Sequence, residues 1–355
     1  MPTIATNRIQ YVAVYQVDNT NNSINKANIN TNDFQSFINK VCIQDLNAKN
    51  KRSYQFKRDS TELAQIITSL IENVDDQNFL SIFENKVEAL AYRLLDSQQR
   101  AAQQHPGINP PKKGSLAFIC IKNEDKLEFL ISKIDSENYL NVNDAKFEAG
   151  LPEDNATQKS CSISYKIEDD EYQFLEILVS DTKPTIAKFW YEDFLELSEL
   201  KSDQRNTSKA YNEIDKILTS YVKKKSKNDY TELRNNLTGY FSTNSSFRLD
   251  DMIDYVVGAY TPEKQEINID TLKERIRKLP ESKDFDAAFN IDKSVIKSRF
   301  KQTYKLSEKM ELRTSDYIDE LKKVIFAKED EVLGERVLII KNIDDDVYEK
   351  FKERE

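Results

Sequence analysis

Two residue types are nearly missing from this 355-residue chain, which has 6 Gly and 1 His. The glycines (Gly107, Gly114, Gly150, Gly239, Gly258 and Gly334) are scattered, so no dinucleotide fingerprint or phosphate-cradling loop can be written. A lone histidine, His105, excludes a zinc site built on paired histidines and a facial triad of two histidines and a carboxylate. Cysteine is sparse too. Cys42, Cys120 and Cys161 form no metal-type pair, and two of them stand in apolar runs, as buried reduced thiols do. The longest apolar run, Leu116 to Ile121, is far short of the roughly 20 residues of a membrane helix. Met1 to Gln16 has Arg8 within its only apolar stretch and no signal-peptide core. A cytoplasmic protein without a membrane segment or cofactor is expected.

What is present is a core and much charge. With 39% hydrophobic residues, 18 Phe and 17 Tyr, the chain can fill an interior, and its length suggests two lobes. The net charge of −9 argues at first against a polyanionic partner, but the charge is segregated. Leu46 to Arg58 holds five bases and no acid, and Lys293 to Lys309 holds six bases against Glu308 alone. Lys223, Lys224, Lys225 and Lys227 form a third cluster, while the stretch from Phe326 onward carries ten acids against six bases. Each run by itself is an ordinary solvated surface; together they leave room for a basic face.

Alternation around Ile9, Tyr11, Ala13 and Tyr15 reads as a half-buried strand, and Thr31 or Asn32 would cap a helix reaching Leu46. Asp59-Ser60-Thr61-Glu62 opens another helix, and a long one over Asp76–Gln103 carries the stripe Phe79, Phe83, Val87, Leu90 and Leu94. Ser115–Lys122 and Lys126–Asp135 make a hairpin, and Cys161–Ile167 and Tyr172–Ser180 two more strands. From Lys183-Pro184 helical periodicity takes over: Ile186–Leu197, Thr207–Val222, Asn228–Phe241, Leu249–Val257 and Asp270–Lys278. The expected class is α+β: a mostly antiparallel sheet with packed helices over 1–182, a helical lobe over 183–309, and a C-terminal β-rich ending with a last helix over 310–355, packed on the other lobes.

Ile186-Ala187-Lys188-Phe189-Trp190-Tyr191-Glu192-Asp193-Phe194-Leu195, followed by Glu199-Leu200-Lys201 and Arg205-Asn206-Thr207, resembles the central signature of the bacterial 37-kDa nucleoid-associated protein family. Asn7–Gln16, Ser60–Ile71, Gly114–Ile121 and the motif Val332-Leu333-Gly334-Glu335-Arg336-Val337 are similar to further blocks of that family, in its order. Glu153–Gln158 and the Asn-rich stretch near Asn19–Asn32 match nothing in it. A more distant similarity links the chain to DNA-binding components of phage-defence systems of the Kiwa type. The resemblance implies association with the nucleoid, carries no catalytic motif, and leaves a defence role as a variant.

The expected function is therefore non-enzymatic, largely sequence-independent binding of the DNA backbone by a homo-oligomer, with a protein partner as a further possibility. The candidate contacts are Lys49, Lys51, Arg52, Lys57 and Arg58 in the first lobe. In the second they are Lys201, Arg205, Lys209, Lys216, Lys223, Lys224 and Lys225, then Lys297, Arg299, Lys301 and Lys305. Tyr54, Phe56, Phe300 and Tyr304 interleave and would either stack on bases or fill the core. Trp190 reads as a packing anchor, and the Leu-Gly-Glu-Arg motif as a turn. Two alternatives stand beside this. One is a protein-interaction module that reaches DNA through a partner, with the acidic C-terminal region as the contact to that partner. The other is a Mg²⁺-dependent nuclease built on Asp170, Asp181 and Lys183, although Pro184 ends that strand early. His105 lies in a loop without a nucleophile nearby.

Overall fold

The computed structural model describes residues 9–29, 31–46, 48, 50–104, 111–141, 145–152, 158–169, 171–330 and 334–352. It is an α+β protein of two compact units. The first comprises residues 1–202 with the short return 286–288, the second 203–285 and 289–355. The boundary expected at 182/183 is thus displaced to 202/203. The reason is apolar: Trp190, Phe194, Leu195 and Leu197 are fully buried in the core of the first unit.

That core lies on an eight-stranded, wholly antiparallel sheet. In chain order its strands are β1 (Ile9–Asp18), β2 (Ser23–Lys26), β3 (Arg52–Phe56), β4 (Gly114–Lys122), β5 (Lys126–Asp135), β8 (Gln158–Glu168), β9 (Glu171–Asp181) and β10 (Leu197–Glu199). A separate hairpin, β6 (Glu137–Asn141) and β7 (Lys146–Gly150), leaves the end of β5. The sheet order is β10-β3-β9-β8-β5-β4-β1-β2. Gly114 is required where it stands, because a Cβ there would lie 2.1 Å from the Ile134 carbonyl oxygen of β5.

One face of the sheet is covered by helices α2 (Glu62–Glu72) and α3 (Phe79–Gln104). The α3 stripe Phe79, Phe83, Val87, Leu90 and Leu94 is fully buried against Phe118, Phe129 and Ile163. On the same face, Phe189–Phe194 makes one wide turn whose closing bond runs from Leu195 N to Trp190 O (3.0 Å). This replaces the longer helix expected there. Arg93 of α3 clamps its end, donating to the carbonyls of Phe194 (2.7 Å) and Asp193 (2.8 Å). The thiols of Cys120 and Cys161 are free and buried in this core, and burial pushes Cys120 up to about 12.

The opposite face is covered by α1 (Asn32–Leu46), through Phe34, Phe37 and Ile38 on Val14, Ile119 and Leu130. Thr31 Oγ1 accepts from Phe34 N (3.2 Å), the cap the sequence calls for. Near the end of α1, Asp45 is buried on strand serines and accepts from Ser132 Oγ and from Gln158 Nε2 (2.6 Å). Burial raises its carboxyl to about 6, against the lowering effect of these bonds. The folded state therefore holds this proton more tightly than the unfolded chain. The stability that goes with it is complete below about pH 4 and is lost as pH rises through about 6. Asp45→Asn is expected to add up to about 3 kcal/mol at pH 7.5 and nothing at pH 4, a difference that urea unfolding at the two pH values measures.

The second unit is largely helical. Its elements include α4 (Asp203–Ile217), α5 (Lys227–Thr243), α6 (Leu249–Ile253) and α7 (Ile269–Arg277). Tyr211, Ile214 and Leu218 form the buried stripe of α4 and its extension, and Phe241 meets Tyr211 edge-on at 5.3 Å. Two hairpins follow, Gln302–Lys305 with Glu311–Thr314 and Ile325–Glu329 with Arg336–Ile340, and then a helix over Asp345–Phe351. Gly334 turns the second hairpin at φ +66°, its N–H on Asp330 O (2.8 Å). Within the Leu-Gly-Glu-Arg motif Gly334 thus has turn geometry and Arg336 opens the following strand; Leu333 lies outside the described residues.

Candidate nucleic-acid interface

Helix α4 places its basic residues by simple periodicity. With Tyr211 and Ile214 turned inward, Lys209 and Lys216 fall on the solvent side, about 10 Å apart along the axis. The helix then continues through a wider turn, Leu218–Lys223, which keeps Lys223 on the same rod, and Lys223 and Lys224 are exposed.

A second basic segment is brought to this helix from far along the chain. Phe300 is buried 6.1 Å from the Tyr211 ring. The carbonyl of Arg299 accepts from Tyr211 OH (3.4 Å) and from the Arg234 guanidinium (3.1 Å). So anchored, Arg299 joins Arg205, Lys209 and Lys216 around an open groove of about 530 Å³. Two acids also line it, and both are engaged: Glu213 by Lys216 (2.6 Å) and Asp215 by Arg234 (3.1 Å). Arg205 pairs with Asp284, whereas Lys209 and Arg299 have no ion-pair partner among the described residues. Lys297, Lys301 and Lys305 are exposed on the segment that carries Arg299.

Beyond the groove, two cations lie on one ring, Lys225 at 3.9 Å and Arg275 at 4.6 Å from the Tyr221 centroid. Lys225 also donates to Glu266 O (2.7 Å), and Lys223 lies 5.0 Å from the Tyr230 ring. Arg275 was not among the expected contacts; the signal for it was a basic last turn in α7.

The expected first-unit contacts do not form a face. Arg52 belongs to β3, and strand alternation turns it inward, where it is 3% exposed. Its guanidinium pairs with Glu199 (2.7 Å) beside Asp286, and Asp286 also takes Lys201 Nζ (3.3 Å) and Ser53 Oγ (2.8 Å). Arg52 and Lys201 therefore fasten β3 and the 286–288 return to the sheet, and neither is available to a phosphate. Burial holds the Lys51 ammonium below its ordinary pKa, with Glu128 and Asp45 opposing. Lys57 pairs with Glu192 (3.5 Å), Arg58 is exposed, and Lys49 lies outside the described residues. The rings resolve likewise: Tyr54 and Phe300 are buried, Phe56 and Tyr304 half-buried, so none is an open stacking platform.

Of the nuclease candidates, Asp170 lies outside the described residues, as does the loop histidine His105. The Asp181 side chain is fully buried and already used: it accepts from Lys159 Nζ (2.8 Å), Lys183 N (2.9 Å) and Ala187 N (3.4 Å). Lys183 is exposed. Among the described residues no three carboxylate, histidine or cysteine side chains converge to hold a metal ion, and no helix is long and apolar enough to cross a membrane. Trp190 is 0% exposed and packs tilted against Phe194, ring centroids 5.0 Å apart, a core anchor. No protein-family model matches this chain, and no curated protein does.

Proposed function

We propose that the chain is a non-enzymatic, nucleoid-associated protein that binds duplex DNA through its phosphate backbone, using the α4 groove of the second unit. One observation carries this reading. Arg205, Lys209, Lys216 and Arg299, from two distant stretches of a net-acidic chain, converge on one groove whose acids are engaged by bases. Lys223, Lys224 and the 297–305 segment extend the basic character beyond it. Contacts of this kind release condensed counterions and read little sequence, in keeping with the family that the sequence resembles. Nucleoid location and self-association belong to the same proposal.

The test is an affinity titration on duplex and single-stranded DNA at two salt concentrations. About six phosphate contacts should cost about a thousandfold in affinity between roughly 50 and 200 mM salt. Absence of binding at the lower salt would overturn the reading.

A second reading rests on the helix Asp345–Phe351, which buries none of its residues, begins at Asp344, Asp345 and Asp346 and leaves Phe351 at its other end 82% exposed. A protein partner, including one in phage defence, would dock there. Capture of associates from nuclease-treated lysate separates this from direct DNA binding, which the nuclease abolishes.

A further inference from the structure

A cavity in the first unit holds charge that the DNA reading does not use. Lys133 of β5, Lys159 of β8 and Asp181 of β9 are successive register partners, so they stand in one row across the sheet on the α3 face. Lys133 is 1% and Lys159 5% exposed. Lys133 is held by the Asp135 carboxylate and the Lys112 carbonyl (3.0 Å), and Lys159 by Asp181. Burying two ammonium groups is expensive, and an apolar row of the same volume would be at least as stable. Burial also holds the Lys133 ammonium below its ordinary pKa, with Asp135 opposing; an anion nearby would restore its charge.

Lys133 and Lys159 of this row form part of the lining of a cavity of about 880 Å³, within the range of small-ligand sites. Around it stand Lys112, Lys113, Lys183 and Lys188, none of which has an ion-pair partner among the described residues. Six lysines line the cavity against three acids, Asp135, Glu192 and Asp193, and Glu192 is already paired with Lys57. Phe189 supplies a ring in the wall, 5.9 Å from Lys159 Nζ. A concave, net-positive site with one aromatic wall matches a phosphate group carried on a flat heterocycle.

We propose that this cavity binds a nucleotide, with its base against Phe189 and its phosphate on Lys112, Lys113, Lys183 and Lys188. The nucleotide is either free or the 5′-phosphorylated end of a strand, and neither source depends on the α4 groove. The full chain is titrated with ATP, with AMP, and with a short oligothymidylate bearing or lacking a 5′-phosphate. Saturable binding is expected, weakened at least about tenfold by Lys183→Glu with Lys188→Glu, two exposed residues whose reversal leaves the urea midpoint in place. Lys264→Glu, in the second unit, leaves it unchanged. Binding of the mononucleotides alone assigns a free ligand; binding that extends to the oligomer only when it is 5′-phosphorylated assigns a strand end. No binding of any probe, or binding indifferent to the double reversal, overturns the proposal.

Discussion

Reversing Lys209, Lys216, Lys223 and Lys224 to glutamate together is expected to weaken duplex DNA binding by a thousandfold or more, equally on unrelated sequences. At about 0.1 M salt each phosphate contact contributes roughly tenfold through counterion release, and each reversal also adds a repelling charge. All four side chains are exposed, and none of the four belongs to the buried stripe of its helix, so the urea midpoint should hold. Fluorescence anisotropy on two unrelated duplexes, at two salt concentrations, reads both the loss and the flattened salt slope. A loss confined to one sequence would mean base readout; no loss would remove the groove as the interface.

Asp181→Ala is expected to cost the fold about 3–5 kcal/mol, the penalty for stranding a buried cation. The Lys159 ammonium, on a residue only 5% exposed, would lose its partner next to a second buried lysine, and the N–H groups of Lys183 and Ala187 would lose their acceptor. Replacing both members, Lys159→Met with Asp181→Leu, should recover part of that stability, since no buried cation is then left without a partner, while the N–H groups of Lys183 and Ala187 still lack their acceptor. Urea unfolding of the two variants against the parent decides it. Should Asp181→Ala be no less stable than the parent, the pair would be solvated and the row would not be the buried feature described. A nuclease assay on Asp181→Ala would report the fold rather than metal chemistry.

Much of the architecture is local and could be read from the chain. The Phe79–Leu94 stripe, the Ser115–Asp135 hairpin and the Thr31 cap are patterns within a few residues, and each forms as expected. The helical stretches 207–222 and 228–241 fall within a few residues of their positions in the structure. What escaped is set by distance and parity. In β3 a run of bases enters the sheet, and alternation sends Arg52 inward while Arg58, beyond the strand, stays in water. Counting charge along the chain cannot separate the two. The partners that hold Arg52, Glu199 and Asp286, lie far away in sequence, as does Asp181 from Lys159. Arg299 joins the α4 groove for the same reason: Phe300 finds its place on Tyr211, and periodicity carries no trace of that contact.

The return of residues 286–288 bears on how the chain can be divided. Asp286 is the carboxylate on which Lys201 and Ser53 converge, yet it is encoded more than eighty residues after the rest of its unit. A fragment cut after residue 202 would keep all eight strands and lose that acid, leaving Arg52 with Glu199 alone among the carboxylates described around it. The first unit is not a prefix of the sequence. Its faithful excision joins two separate pieces of chain, and the stretch between them can be shortened or exchanged only if both ends still deliver Asp286 to β3.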